Sequence, residues 1–386
     1  MQYREFGKTG YRVSALGFGC MRLPCVSGGN SGSDIDMDEA TRMIRWAIDN
    51  GVNYIDTAYP YHGGTSEAAV SRALKDGYRQ KVAIADKLPV WRVKQAEDFD
   101  TYLDEQLTRL GDEHIDFYLL HSLSAGTWKN VVLKYGLLDK MERAKAAGKI
   151  GHIGFSFHDS FPALEMILSD YPGFEFGQIQ LNYLDINTQA GLKGLRLLSE
   201  KGLGAVIMEP LMGGKLASPP EAVQAVFERS VSGRAPAQWA LEFLWDMPEV
   251  SVILSGMSSM QQVRDNVAYA NNAKPGMLPK AQRAVYAEAK RQFDALIAVP
   301  CTGCGYCTPC PSGVNIPRNF SAFNELKAYE SPEVGNATFM RMLALGGKKA
   351  AAVSCISCRA CEEKCPQGIE ISRFMPHVAE AFADLQ

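Results

Sequence analysis

Apolar and polar positions follow a two-part pattern that repeats along most of the chain. A short run rich in β-branched and apolar residues is followed by a longer stretch with helical spacing. The apolar runs fall at 15–19, 54–57, 82–87, 115–121, 152–157, 176–182, 205–210 and 250–255, and they predict eight strands. Helical stretches lie between them, among them 39–50, 67–74, 98–110, 137–147 and 192–200. Gly51, Gly111, Gly148 and Gly202 stand just past four of these, as C-terminal caps do. Strands alternating with helices run parallel, because each must return by a crossover. Eight such units in roughly 260 residues predict a (β/α)₈ barrel. A doubly wound open sheet is the alternative, but GFGCMR (Gly17 to Arg22) does not supply the GxGxxG turn that such sheets use for dinucleotides. Ahead of the first strand, FGKTGYRVS predicts a hairpin turning at Lys8–Gly10, placed to plug the barrel floor.

The pattern breaks after about residue 271. AKPGMLPKA reads as a connector and 280–298 as a helix. The expected layout is a barrel over 1–275, a connecting helix over 276–298 and a small, mostly helical domain over 299–386. Eight of the ten cysteines fall in that last part. The N-terminus MQYREFGKTG has no apolar signal core, so a cytoplasmic location and reduced thiols are expected. The cysteines therefore point to metal or cluster binding rather than disulfides. A net charge of −3 with no basic stripe argues against a nucleic-acid partner. The absence of a long apolar run argues against a membrane span.

The strand ends carry the candidate chemistry, because barrel active sites lie at the C-terminal face. The second strand ends in Asp56, with Tyr61 in the next loop; the third ends in Lys87 and the fourth in His121. Singly, each has a bland reading: a capping aspartate, a rim tyrosine, a solvated lysine, a satisfied histidine. On three consecutive strands they can converge. Reducing a carbonyl by hydride leaves charge on oxygen, which needs a proton donor and an electrostatic clamp. Tyr61 is then the general acid and Lys87 lowers its pKa. Asp56 holds Lys87 charged, and His121 orients the carbonyl oxygen.

Over about residues 1–270 the chain resembles the aldo-keto reductase family. The resemblance is carried by YREFGKTGYRVSALGFG, NYIDTAYPYHGGTSE, VAIADKLP, DFYLLHS, GHIGFS, GQIQLNY, EPLMGGKL and SGMSSMQQVRDN. It implies the same four roles and an NADP(H) or NAD(H) cofactor. The implied contacts are Gly19, Cys20, Met21, Ser156, Gln178, Pro210, Leu211, Gly213 and Lys215, with Gly256, Ser258, Gln262 and Asn266 on the adenine side. Three positions depart from the family pattern. Phe157 follows Ser156 where an asparagine is common. Met208 stands at the nicotinamide-stacking position. Gln262 aligns with the arginine that often grips a 2′-phosphate, a role left to Lys215 or Arg264. The family's habit favours NADP(H).

The cysteines form two runs, Cys301-x₂-Cys304-x₂-Cys307-x₂-Cys310-Pro311 and Cys355-x₂-Cys358-x₂-Cys361-x₃-Cys365-Pro366. The second matches the bacterial ferredoxin run, and zinc is the alternative. Resemblance to two-cluster ferredoxins implies two [4Fe–4S] clusters. Cys301, Cys304, Cys307 and Cys365 would hold one; Cys355, Cys358, Cys361 and Cys310 would hold the other. The first run is one residue short before Cys310.

The expected function is an NAD(P)-dependent oxidoreductase acting on a small aldehyde, ketone or alcohol, with two accessory clusters. The alternative is an electron-transfer protein whose barrel docks the nicotinamide and whose clusters feed a redox protein partner. Arg22, Trp91 and Trp128 are candidates for lining the mouth, with an ordinary surface or packing role as the favoured alternative for each.

Overall fold

The computed structural model describes every residue except Ser31, Val231, Ser232, Thr302, Cys304, Tyr306, Pro366 and Gln386. It divides into two compact units. One comprises Met1–Ser218 with Arg234–Arg283, the other Pro219–Gly233 with Ala284–Gln386.

The first unit is a barrel. Strands β1 (Tyr3–Glu5) and β2 (Arg12–Ser14) form an antiparallel hairpin. The eight strands that follow are β3 (Leu16–Gly19), β4 (Tyr54–Asp56), β5 (Ala83–Leu88), β6 (Ile115–Leu123), β7 (Ile150–Phe157), β8 (Phe176–Gln180), β9 (Gly204–Met208) and β10 (Val252–Gly256). They pair in parallel in chain order, and β10 closes on β3. Every predicted strand is present. Helices α1 (Met37–Asp49), α2 (Ser66–Ala73) and α3 (Asp98–Leu110) follow β3, β4 and β5. Asp36 caps α1 by accepting from the Glu39 N–H at 3.0 Å. Gly111 ends α3 at φ 63°, a left-handed value that a side chain would strain.

Successive side chains on a strand point to opposite faces. Outward residues such as Ile84, Leu88, Tyr118, Leu120, Ile153, Phe155 and Phe157 form the main core against the helices. Inward residues fill the lower barrel: Tyr54, Ala83, Ala85, Phe117, Leu119, Phe176, Val206 and Val252, joined from below by Phe6 and Val13 of the hairpin. Phe6 is the floor plug. Its ring lies 4.9 Å from Phe117 and 5.4 Å from Phe176. Gly204 makes room for it, since a Cβ there would sit 2.1 Å from the Phe6 ring. Burying such a ring contributes roughly 1.5–3 kcal/mol.

Trp128, a candidate mouth residue, is instead fully buried in the main core. It donates its indole N–H to Asp170 at 2.8 Å. An indole needs one acceptor and otherwise favours apolar packing, so the core takes it.

The second unit contains the helices Ile316–Tyr329, Pro332–Gly346 and Ile371–Ala381. Phe320, Phe323, Phe339, Met342, Met375, Val378 and Phe382 form its core. Among the described residues no helix is long and apolar enough to cross a membrane.

One half-buried charge cluster near the start of β7 sets an acid-stability expectation. Glu175 accepts from Lys145 at 2.6 Å, from His152 at 2.7 Å and from the Ile153 N–H at 3.0 Å. Burial alone would raise its pKa, but these donors hold it down to about 2. A carboxyl depressed on folding contributes stability above its unfolded value of about 4.3 and loses it as pH falls toward the folded one. Replacing Glu175 by Gln should therefore cost about 3 kcal/mol at neutral pH. The gap from the parent should close as pH falls from about 4.3 to about 2. Tryptophan fluorescence reads this directly, because all five tryptophans lie in the barrel unit.

Candidate active site and cysteine sites

The same alternation that fills the barrel builds its mouth. Continuing the inward face upward from the floor gives Gly19, Asp56, Lys87, His121, Ser156, Gln178, Met208 and Gly256, one from each strand. These are residues the sequence singled out. Gly19 pairs with Asp56 and with Gly256, and Ser156 pairs with Gln178.

Lys87 is fully buried and organises this layer. Its ammonium donates to Asp56 Oδ1 at 2.7 Å and to the Thr57 carbonyl at 2.6 Å, and lies 3.5 Å from the Tyr61 hydroxyl. Burial acts to lower the Lys87 pKa, but Asp56 and Tyr61 outweigh it and the net direction is up. The lysine stays charged. Tyr61 is partly exposed at the mouth. Its phenol lies above its ordinary value, because burial raises it more than Lys87 lowers it. The expected lowering by lysine is thus present but does not win. His121 packs its ring 6.0 Å from Tyr61 and 5.0 Å from Trp91. Burial, then Lys87 and His158, push its pKa well below the usual value, so it is neutral.

Several groups at the mouth fit a nicotinamide cofactor. Among the described residues, Gln178 Oε1 is buried without a hydrogen-bond partner, and so is His121 Nδ1. A buried acceptor left this way costs about 1–3 kcal/mol unless a ligand satisfies it. Gln178 Nε2 donates to the Met208 sulfur at 3.6 Å, which brings the expected stacking residue beside it. Ser156 Oγ accepts from the Ser122 N–H at 2.8 Å. Phe157 points the other way, into the main core, so it leaves no polar group at the mouth. Cys20 is buried and Met21 exposed in the turn after β3. Pro210, Leu211, Gly213 and Lys215 form the turn after β9. On the adenine side, Ser258 donates its N–H to Gln262 Oε1 at 2.7 Å. Asn266 donates to Ser255 Oγ at 3.1 Å. The Arg264 guanidinium lies over the Trp46 ring. Arg22 lies against Gly256, where a Cβ would meet its side chain at 2.9 Å.

One residue here was missed by sequence reasoning. His62, next to Tyr61, is buried at φ 51°. Its Nε2 accepts from the Leu23 N–H at 3.1 Å and its Nδ1 donates to the Gly32 carbonyl at 2.6 Å. The imidazole thus ties the loop after β3 to the loop that carries Tyr61. The signal lay in the motif NYIDTAYPYHGGTSE, but a histidine beside two glycines reads as a turn.

In the second unit Cys310, Cys355, Cys358 and Cys361 line one small hollow with Ile356, Arg359 and Ser372. This is the set of four that the ferredoxin resemblance grouped. Cys301, Cys307 and Cys365 pack on the core of the same unit, and Cys304 lies outside the described residues. Two asparagines of the helix Ile316–Tyr329 fix the segments that carry the cysteines. Asn324 accepts from the Val299 N–H and donates to the Val299 carbonyl, both at 2.8 Å. Buried Asn319 donates to the Ala350 carbonyl at 2.7 Å and accepts from the Ala352 N–H at 2.9 Å. Neither asparagine carried a sequence signal.

Comparison with known proteins gives a family match to each part. The model described as "Aldo/keto reductase family" matches residues 15–276, and the "4Fe-4S dicluster domain" matches residues 300–370. L-galactose dehydrogenase of Arabidopsis thaliana is 29% identical over 295 residues, covering 69% of this chain and 88% of its own. The holo form of an aldo-keto reductase from Bacillus halodurans superposes with a TM-score of 0.62 at 25% identity, over 75% of this chain and 96% of that one. An aldo-keto reductase from Klebsiella pneumoniae, in complex with NADPH, shares the fold at a TM-score of 0.59 and 22% identity, over 75% and 95%.

A neutral, buried His121 has a direct signature. Its ring resonances should not titrate between about pH 5 and 8, unlike an ordinary histidine near 6.5. A normal titration curve in NMR would contradict the environment described.

Proposed function

Because the chain belongs to the aldo/keto reductase family, we propose that it moves hydride between NADP(H) or NAD(H) and a small aldehyde, ketone or alcohol, with Asp56, Tyr61, Lys87 and His121 as its catalytic group. The observation that carries this reading is the buried Lys87 ammonium held by Asp56 and aimed at the Tyr61 hydroxyl.

A reduced nicotinamide, when bound, supplies the hydride. The chain's own residues handle the charge that appears on the carbonyl oxygen. Tyr61, protonated at neutral pH, gives that oxygen its phenolic proton. Lys87 stabilises the phenolate left behind, and Asp56 keeps Lys87 in place. Neutral His121 has one ring N–H to offer, which holds the substrate oxygen against Tyr61. In the reverse direction the same phenolate takes the alcohol proton. Ser156 and Gln178 would hold the nicotinamide amide, and Met208 would lie under its ring. Gly19, Cys20, Met21, Pro210, Leu211, Gly213 and Lys215 would line the pyrophosphate path. Gly256, Ser258, Gln262 and Asn266 would flank the adenine end. With Gln262 in place of an arginine, Lys215 is the cation proposed for a 2′-phosphate.

The eight clustered cysteines fit two [4Fe–4S] clusters. Cys310, Cys355, Cys358 and Cys361 would hold one, and Cys301, Cys304, Cys307 and Cys365 the other. Hydride transfer moves two electrons together and needs no one-electron carrier, so the clusters serve a separate purpose. The exposure of Cys358 and Ile356 beside the hollow favours a second activity, electron exchange with a redox protein partner.

Tyr61→Phe should lower carbonyl reduction by about 10²–10⁴-fold with little change in nicotinamide affinity. Retained turnover in steady-state assays would exclude the acid role. Cys358→Ala should lower bound iron from about eight toward about four per chain, with a matching loss of visible absorbance. Unchanged iron would remove Cys358 from the ligand set.

A further inference from the structure

Two buried carboxyl groups take no part in the chemistry above. Lys87 points into the barrel, so its neighbour Asp86 points outward, into the layer between β5 and helices α2 and α3. That layer is otherwise mostly apolar, Gln106 of α3 being its other large buried polar side chain. Asp86 is fully buried there, and so is Glu67 of α2.

The charged and titratable groups facing this pair are few. Arg109 of α3 donates to Glu67 Oε2 at 2.9 Å, and reaches Glu105 at 3.3 Å nearer the surface. Gln106 of α3 donates to the Lys87 carbonyl at 3.2 Å and accepts from the Tyr118 hydroxyl of β6 at 2.7 Å. On its own strand, Asp86 Oδ1 accepts from the Lys87 N–H at 2.8 Å. Among the described residues, Asp86 Oδ2 and Glu67 Oε1 are buried without a well-formed hydrogen bond, the Gln106 amide being the one further donor close to Glu67. The two carboxyl groups are within hydrogen-bonding reach of each other. Ionised carboxylates only accept, so two of them cannot satisfy these oxygens. A proton between them can.

We infer that Asp86 and Glu67 share one proton at neutral pH, with Asp86 the donor, and that this neutral carboxyl is a positioning group that sets the acid strength of Tyr61 through Lys87. Glu67 keeps its charge because Arg109 is bound to it. Burial and the Glu67 charge push the Asp86 pKa well up, whereas Arg109 opposes the rise at Glu67. With Asp86 neutral, the charges of buried Lys87 and partly exposed Arg109 balance those of Asp56 and Glu67. An ionised Asp86 would add an uncompensated negative charge on the far side of Lys87. That charge acts upward on both Lys87 and Tyr61, which makes the phenol a weaker acid.

The kinetic part of this inference rests on Tyr61 as the acid; the shared proton does not. Infrared difference spectra of the full-length protein against Asp86→Asn should show a protonated-carboxyl C=O stretch in the parent between about pH 5 and 8. The same stretch should vanish at neutral pH in Glu67→Gln, where the amide donates to Asp86 and the repelling charge is gone. Absence of the band from the parent overturns the shared proton. In kinetics, Glu67→Gln should move the alkaline limb of kcat/KM upward by about one pH unit, and adding Asp86→Asn should return it. A limb that stays put in Glu67→Gln overturns the link to Tyr61. Full activity of Tyr61→Phe would instead overturn the proposed acid, and the infrared result would still decide the shared proton.

Discussion

A full positive charge held out of water at Lys87 is the constraint on which the barrel mouth depends. Taking an ammonium from water into a protein interior costs several kcal/mol, and only close, well-directed partners repay it. Asp56 and the Thr57 carbonyl provide them from the neighbouring strand. Removing one member of such a pair typically costs about 3–5 kcal/mol, so the chemistry is tied to the stability of the barrel itself. The same charge acts on everything around it. It counters the effect of burial on Tyr61, depresses His121 and takes the measure of Asp86 behind it. A single lysine thereby couples the inner face of the strand to its outer face.

The fold was largely legible in the sequence because its signals are local and periodic. Eight apolar runs, separated by helical stretches ending on glycine, leave little freedom in a chain that must return to the same edge each time. The four catalytic candidates were legible for a related reason. Strand direction is set by chirality and crossover rules, so a residue at a strand's end has a known destination. Asp86 and His62 were not legible. Whether a carboxylate points toward the substrate or away from it depends on a register shift of one residue, which pattern alone does not resolve. The role of His62 depends on two backbone groups in a loop with no periodicity. Trp128 took the packing role open to it: its ring is buried in the core while its indole N–H reaches Asp170 at the surface.

The two units answer to different chemistry. The barrel offers a proton, a fixed charge and a place for a two-electron donor. The cysteine unit offers thiolates on turns, held by a helical core. The hollow around Cys310, Cys355, Cys358 and Cys361 combines one residue from the first run with three from the second. The second run is thus joined in space by the last cysteine of the first.

Asn319 and Asn324 give that arrangement a scaffold. They sit five residues apart on one helix, about 7.5 Å along its axis. One clamps the backbone just before the second run and the other clamps it just before the first. The separation of the two backbone anchor points is thus set by one rigid helix and not by the length of the chain joining them. Descendants of this sequence could lengthen or shorten the hairpin beyond Tyr329 and still hold their two cysteine runs in register.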